Sequence, residues 1–222
     1  MTPSEEKLGW LYFAFQLLFL PTLLALLNRS YLHLPDAWLN LTFYTVNFGC
    51  VFLIFRRFLL SSVAYGAKRK AWLLRAVLLG LAGDITISNL WNSLIVSFFP
   101  GFSNVNDASI QIMLRQDFLP VAVGTVLLVP LAEETMFRGL IFRGLYNKSK
   151  VTAYIVSIAA FCAVHIVGYI GIYDPVTLAL CFVQYIPAGV CLAWAYAEAD
   201  TILAPILIHT FVNAMSIYLV MR

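Results

Sequence analysis

Uncharged runs of about 20 residues recur along this chain, and their length narrows the choice of fold more than any other feature. The run Leu8–Leu27 contains no charged residue, and comparable runs follow it. In a helix, about 20 apolar residues cross the hydrocarbon core of a bilayer, whereas open sheet edges cannot be satisfied in lipid. The composition agrees, since 62% of the residues are hydrophobic and 11% are charged, against about 45–50% and about 25% in soluble domains. We therefore predict an all-α, polytopic transmembrane helical bundle.

The uncharged runs predict about seven membrane spans, with eight as the alternative, in one integral-membrane domain that covers residues 1–222. A kink is expected at Pro21, because membrane helices tolerate proline. Pro100 ends the third helix, and the polar stretch from there to Asp117 is expected along the outer surface. The predicted helices are Leu8–Asn28, Trp38–Phe55, Ala71–Phe99, Phe118–Tyr146, Val151–Tyr173, Pro175–Ala197 and Thr201–Met221.

Basic residues set the predicted orientation of the chain. They follow the second and fourth predicted helices, and loops rich in Lys and Arg remain in the cytoplasm. Both regions and the N-terminus are therefore predicted on the cytoplasmic side. The net charge of +3 comes from these helix ends, so the lipid bilayer is the expected partner and nucleic acid is not. The residues concerned are Arg56, Arg57, Lys68, Arg69, Lys70 and Arg75 in the first region, and Arg143, Lys148 and Lys150 in the second.

Two adjacent carboxylates interrupt the fourth predicted helix, at Glu133 and Glu134. Ionisable groups inside a membrane are costly and by default indicate a functional site. The pair could instead mark the point where a helix leaves the lipid, and its position alone does not decide between these readings. Arg138 lies four residues after Glu134, so these two side chains share a helix face and can pair. Glu133 diverges by about 100° around the helix axis and is expected to be the freer carboxylate.

Further polar side chains follow at His165 in the fifth predicted helix, and at His209 and Asn213 in the seventh. His209 and Asn213 are four residues apart and share a face. Counting helix turns places these groups in the inner half or near the middle of the membrane, which favours a polar pocket open to the cytoplasm. Taken singly each signal is weak, because a buried His usually satisfies a backbone carbonyl and Asn is common in interhelical hydrogen bonds.

Asp84 lies well inside the third predicted helix. The cost of a charge in lipid argues against its facing the acyl chains. It is either hydrogen-bonded to a neighbouring helix or directly involved in catalysis or gating, and its role is left open.

Three segments resemble the motifs of the CPBP family, the CAAX-protease and bacteriocin-processing membrane proteins also called Abi. All three occur in the family's order, and the resemblance extends over a core of residues 118–221. The motifs are Glu-Glu-x-x-x-Arg at Glu133–Arg138, Phe-x-x-x-His at Phe161–His165, and His-x-x-x-Asn at His209–Asn213.

This resemblance implies an intramembrane endopeptidase. Glu133 and His165 would activate a water, His209 and Asn213 would stabilise the oxyanion, and Glu134 with Arg138 would support the site. The substrate would be a membrane-associated or hydrophobic peptide, or a membrane protein, cut near the cytoplasmic face. Catalysis without a metal is favoured. Zinc is the alternative, with Glu133, His165 and His209 as its ligands, because two His and one Glu can hold zinc with a water in the fourth position.

Two non-enzymatic functions compete with this interpretation. One is an immunity or scaffold protein of the same family without catalysis. The other is a small proton-coupled carrier, although such carriers usually contain two related halves and none are found here. The short chain shows no eukaryotic retention signal, so the plasma membrane of a bacterium is the expected location.

Overall fold

A computed structural model describes residues 1–222. The chain forms an all-α bundle without a β-strand, which confirms the predicted fold class. The helices are α1 (Pro3–Leu18), α2 (Leu20–Leu27), α3 (Asp36–Lys68), α4 (Lys70–Phe98), α5 (Val105–Gln116), α6 (Phe118–Tyr146), α7 (Lys150–Val164), α8 (Pro175–Ala199) and α9 (Leu203–Val220).

Five of these helices, α3, α4, α6, α8 and α9, are long and apolar enough to cross a membrane. A sixth crossing is counted if α1 and the helix Leu20–Leu32 form one span, bent by 51° beside Pro21. The kink predicted at this proline is therefore present. Helix α7 has 15 residues, or about 22 Å, and is shorter than the hydrocarbon core of about 30 Å. The predicted count of seven spans is thus not confirmed.

Two predicted helix ends differ from the structure. The second predicted helix does not end at Phe55, because α3 only kinks there (φ −101°, ψ 16°) and continues to Lys68. The fifth ends at Val164 and not at Tyr173. A short 3₁₀ turn follows it, and Gly171 then adopts a φ of +83°, a left-handed conformation that side chains other than glycine rarely take.

The kink in α3 is stabilised by a side chain that bonds to a freed backbone N–H group. A helix break at Phe55 frees the N–H groups that follow it, and the Glu5 carboxylate accepts the N–H of Phe58 at 2.9 Å. An unpaired N–H in lipid costs several kcal/mol. The buried carboxylate of α1 therefore fixes the start of the chain against the middle of α3.

Contacts between distant residues gather the charged helix ends at one end of the bundle. The hydroxyl of Thr201 donates to the carbonyl of Ser62 at 2.8 Å, and the Arg143 guanidinium lies 5.7 Å from the Phe58 ring centroid. We call this the basic end. It is defined by Lys68, Arg69, Lys70, Arg143, Lys148 and Lys150.

The opposite end contains the turns before α3, α6 and α8. The indole N–H of Trp38 donates to the Asp117 carboxylate there, at 2.7 Å. Helix α5 reaches this end from the interior, because it begins beside the middle of α8, where Asn106 donates to the hydroxyl of Tyr185 at 3.1 Å. The stretch predicted to lie along the outer surface thus contains a helix that descends to the level of α8's midpoint.

Proline in α8 removes a backbone donor, and a neighbouring helix supplies a replacement. Pro187 has no N–H for the carbonyl of Val183, four residues earlier. The indole N–H of Trp91 in α4 donates to that carbonyl at 2.8 Å. The proline therefore creates a specific polar contact between two membrane helices.

This contact makes a testable prediction. We expect Trp91→Phe to lower the free energy of unfolding by about 1 kcal/mol, because the Val183 carbonyl loses its donor. In a Pro187→Ala background the loss should be smaller, because alanine at that position restores a backbone N–H. Thermal unfolding in detergent micelles measures both effects, with Trp10→Phe as the control for an exposed indole. Equal losses in the two backgrounds would contradict the assignment.

Candidate active site

Helix α6 carries the two adjacent carboxylates and is the most enclosed of the candidate spans. Its hydrogen bonding changes twice. Segments of π-helix at Gly124–Leu128 and Thr135–Phe142 flank a short α-helical stretch, Val129–Glu134. Such π-bulges occur frequently at functional sites, because the wider turn redirects side chains and frees carbonyls. Both carboxylates therefore occupy the end of a short α-helical segment between two irregular ones.

Glu134 forms the buried centre of a charged cluster. Its Oε1 accepts from Arg138 Nη1 at 3.2 Å, as the four-residue spacing predicts, and lies 2.8 Å from His209 Nδ1. Glu134 and Arg138 have no exposed surface. Arg138 also donates to the Gly189 carbonyl at 3.3 Å, and its guanidinium lies 4.5 Å from the centre of the Phe161 ring. The cluster thus ties α6 to α8 and α9, a link between helices that the spacing within one helix did not predict.

His165 ends α7 in a defined orientation. Its Nδ1 lies 2.7 Å from the carbonyl oxygen of Phe161. A carbonyl only accepts hydrogen bonds, so Nδ1 carries the hydrogen and Nε2 of the neutral ring keeps its lone pair. The Phe161 ring contacts both histidines, with centroid distances of 4.8 Å to His165 and 6.1 Å to His209. His165 is therefore oriented to accept a hydrogen bond through Nε2 when its ring is neutral.

Asn213 is oriented by a carbonyl that proline has freed. Its Nδ2 donates to the Thr125 carbonyl at 2.9 Å. Within α6 that carbonyl lacks its usual donor, because the N–H of Val129 bonds to Gly124 in the π turn and Pro130 has no N–H. The bond fixes the Asn213 amide and leaves its second N–H hydrogen for another acceptor.

A cavity of about 500 Å³ brings three of the predicted catalytic side chains together, since His165, His209 and Asn213 all line it. Glu133 and Glu134 do not. The wall also contains polar residues that the sequence analysis did not assign to the site. They are Ser88, Asn89, Asn92, Asp107, Gln111, Thr125, Gln184, Tyr185 and Ser216.

The cavity extends away from the basic end. Its lining residues on α4 lie between Asp84 and Asn92, and those on α9 between His209 and Val220. In both helices this is the half remote from the basic end. The expectation that the pocket opens toward the basic residues, and so near the predicted cytoplasmic face, is therefore wrong. Helix turns were counted along single helices, whereas the descent of α5, which lines part of the cavity, arises from tertiary packing.

Glu133 remains the freer of the two carboxylates. Its Oε2 is buried and has no hydrogen-bond partner, which is also true of Glu134 Oε2, but Glu134 is bonded through its other oxygen to Arg138 and His209. A buried carboxylate oxygen without a partner is costly and is available to accept a hydrogen bond from a water or a substrate.

The ligand set considered for zinc does not fit a metal site in this structure. No group of three His, Cys, Asp or Glu side chains is placed to hold an ion. Glu133, His165 and His209 therefore do not form the ligand set of one ion here, and no step below depends on a metal.

Asp84 and Asp107 are carboxylates of the cavity wall. Asp84 is buried and accepts from Ser88 of its own helix at 3.0 Å, so the expected bond to a neighbouring helix is absent. Asp107, on α5, accepts from the Tyr185 hydroxyl at 2.9 Å. Burial raises the pKa of the Asp107 carboxyl above its ordinary value, although the bond from Tyr185 opposes this shift. Composition drew attention to Asp84, but no sequence signal connected Asp107 with the motifs.

Residues 115–215 match the family model described as type II CAAX prenyl endopeptidase, Rce1-like. The matched region contains all three motifs, so the family model confirms the resemblance to CAAX proteases that the motifs indicated. No curated protein and no solved structure matches the chain significantly. The family supports a multi-pass membrane protein of the CAAX-endopeptidase class.

Proposed function

We propose that this chain, which carries the Rce1-like family pattern in its second half, is an intramembrane endopeptidase for hydrophobic or membrane-associated peptides. The observation that carries the proposal is the convergence of His165, His209 and Asn213 on one cavity. These side chains come from two helices and two separate motifs. Hydrolysis of a peptide bond in a membrane needs a polar compartment, and this cavity supplies one.

Glu133 and His165 are assigned to activation of the attacking water. Glu133 has a buried oxygen without a partner, and His165, whose Nδ1 bonds to the Phe161 carbonyl, can accept a hydrogen bond through Nε2 when its ring is neutral. The Glu133 carboxylate takes a proton from the water while the oxygen of the water bonds to the scissile carbonyl carbon. That proton then passes to the departing amine as the C–N bond breaks. Glu133 does not yet reach the cavity, but catalytic hydrogen bonds commonly tighten only when substrate binds.

His209 and Asn213 are assigned to the oxyanion. Glu134 holds Nδ1 of His209, so the protonated imidazole offers Nε2–H as a second donor. Asn213 contributes its remaining amide hydrogen, fixed in direction by the Thr125 carbonyl. Preorganised donors aimed at developing charge are often the largest single contribution to catalysis. Glu134 and Arg138 then support the site without reacting.

The proposed membrane arrangement places all seven apolar helical segments across the bilayer in one domain, with residues 118–221 as the catalytic core. Local thinning of the bilayer accommodates the short α7. The basic end lies in the cytoplasm, so the cavity extends toward the other face. A bacterial plasma membrane is the location we assign.

Cysteine labelling tests this arrangement. A membrane-impermeant maleimide should label Asp174→Cys in intact spheroplasts and label Lys70→Cys only after permeabilisation. The native cysteines provide little background, because three of the four are buried. Labelling of both variants from the same side would exclude seven crossings.

Reconstituted protein tests the activity itself. Purified wild-type protein in liposomes should cleave a hydrophobic peptide, offered with and without a C-terminal prenylated CAAX sequence, and His165→Gln should lower the rate about 100-fold or more. Comparison of the two peptides identifies the substrate class. If the protein cleaves neither peptide while His165→Gln and Glu133→Gln together preserve its cellular function, the chain is a non-catalytic immunity or scaffold protein.

A further inference from the structure

His165 is held between two aromatic rings, of which only one belongs to a motif. The Phe161 ring meets it edge-on, at an interplanar angle of 64°. The Tyr185 ring stacks on it, with 4.0 Å between centroids and an interplanar angle of 27°. Phe161 lies one turn before His165 on the same helix, whereas Tyr185 comes from α8. The stacked face of the imidazole is therefore defined by a residue outside the three motifs.

The backbone of α8 places Tyr185 at this point. Two helical segments, Pro175–Gln184 and Ile186–Ala199, meet at Tyr185. Pro187 prevents an uninterrupted hydrogen-bond ladder here, and the Trp91 indole satisfies the freed carbonyl. The break is thus a stable feature of the fold, and it directs the Tyr185 ring toward the cavity that His165 also lines.

The hydroxyl of Tyr185 is anchored by α5. It donates to Asp107 Oδ1 at 2.9 Å and accepts from Asn106 Nδ2 at 3.1 Å. Asn104, which caps α5, donates to Gln184 at 2.8 Å beside it. A bond to a carboxylate is stronger than one between neutral groups. The Tyr185 ring is therefore held by its stack on His165 and, through its hydroxyl, by the Asp107 carboxyl.

We infer that Tyr185, anchored by Asp107, is a positioning residue that holds the His165 imidazole in its reactive orientation. The inference rests on the function proposed for His165. The bond from Nδ1 to the Phe161 carbonyl restrains one edge of the imidazole, yet the ring can still tilt about that bond. Stacking by Tyr185 removes this tilt and directs Nε2 into the cavity. It also makes α5, which carries no motif, a structural part of the active site.

Steady-state kinetics of reconstituted variants tests the inference. Tyr185→Leu should lower kcat about 10-fold or more with little change in KM, the size of effect found when partners that orient a reactive group are removed. Tyr185→Phe keeps the stack and should retain most of the activity. Asp107→Ala should resemble Tyr185→Phe, and the two changes together should cost no more than one. Tyr218→Leu, an exposed tyrosine of α9, is the control and should leave kcat unchanged.

A double variant separates positioning from packing. In a His165→Gln background, Tyr185→Leu should cause no further loss of residual cleavage, because there is no imidazole left to hold. An equal loss in both backgrounds, a rise in KM alone, or wild-type kinetics for Tyr185→Leu would each overturn the inference. If Tyr185→Leu does not fold, Tyr185→Met, which also removes the aromatic ring, takes its place with the same expected loss of kcat. Full cleavage by His165→Gln would refute the proposed function instead, and this inference with it.

Discussion

Glu133→Gln is expected to lower the rate of peptide cleavage by about 100-fold or more, the range lost when a general base is removed. Gln has the same shape and keeps an acceptor oxygen, but it cannot take a proton at neutral pH. Because Glu133 makes no hydrogen bond through its buried Oε2, the substitution should leave the thermal unfolding temperature close to the wild-type value. Single-turnover cleavage in liposomes, together with thermal unfolding in detergent, measures both quantities.

Two other carboxylates provide the matched controls for this experiment. Glu6→Gln changes an exposed carboxylate of α1 and should leave both cleavage and stability unaltered. Glu134→Gln changes the adjacent buried carboxylate, which is bonded to Arg138 and His209, and should lower stability as well as cleavage. Undiminished cleavage by Glu133→Gln would exclude Glu133 as the base and leave Glu134 as the remaining carboxylate of the motif.

Side-chain pairing and kinks within a single helix could be predicted from the sequence. The spacing of Glu134 and Arg138 predicted their pairing, and the divergence of Glu133 predicted a carboxylate outside that pair. Both follow from helix geometry alone, which does not depend on the rest of the fold. The same applies to the kink at Pro21, because proline removes a backbone donor wherever it occurs.

Contacts between different helices could not be predicted from the sequence. His209 was grouped with Asn213 through their shared face, but its bond to Glu134 depends on how α9 packs against α6. Asn213 bonds to the Thr125 carbonyl only because Pro130 and the adjacent π turn free it. Neither the π turn nor the packing leaves a periodic signal in the residues.

The position of α5 could not be predicted from the sequence either. Its composition is polar with a few apolar residues, which is equally compatible with a helix on the surface and with one that enters the bundle. Asn104, Asp107 and Tyr185 meet across about 80 residues of chain. Since no motif links them, only the tertiary structure shows that Tyr185 stacks on His165 and that α5 holds the Tyr185 hydroxyl.

The buried ion pair gives the largest expected change in stability. Arg138→Leu should lower the free energy of unfolding by about 3–5 kcal/mol, because it leaves the fully buried Glu134 carboxylate without its cation. Removing both charges, in Glu134→Leu/Arg138→Leu, should restore most of that loss, since a buried ion pair is often replaced by apolar residues at little net cost. His209 still loses its acceptor in the double variant, which should keep stability about 1 kcal/mol below wild type.

Stability and activity should therefore respond differently to the double variant. Cleavage should remain lost, because His209 needs the Glu134 carboxylate to hold Nδ1 and direct Nε2 toward the oxyanion. Chemical unfolding in detergent and cleavage in liposomes, measured on the same preparations, test this separation.

The control is Arg75→Leu/Glu198→Leu, a surface pair with a distance of 3.6 Å and side chains 58% and 26% exposed, which should change stability by about 1 kcal/mol or less. Wild-type stability for Arg138→Leu would show that the Glu134 carboxylate is not ionised in the bundle. Wild-type cleavage by the double variant would show that His209 acts without it.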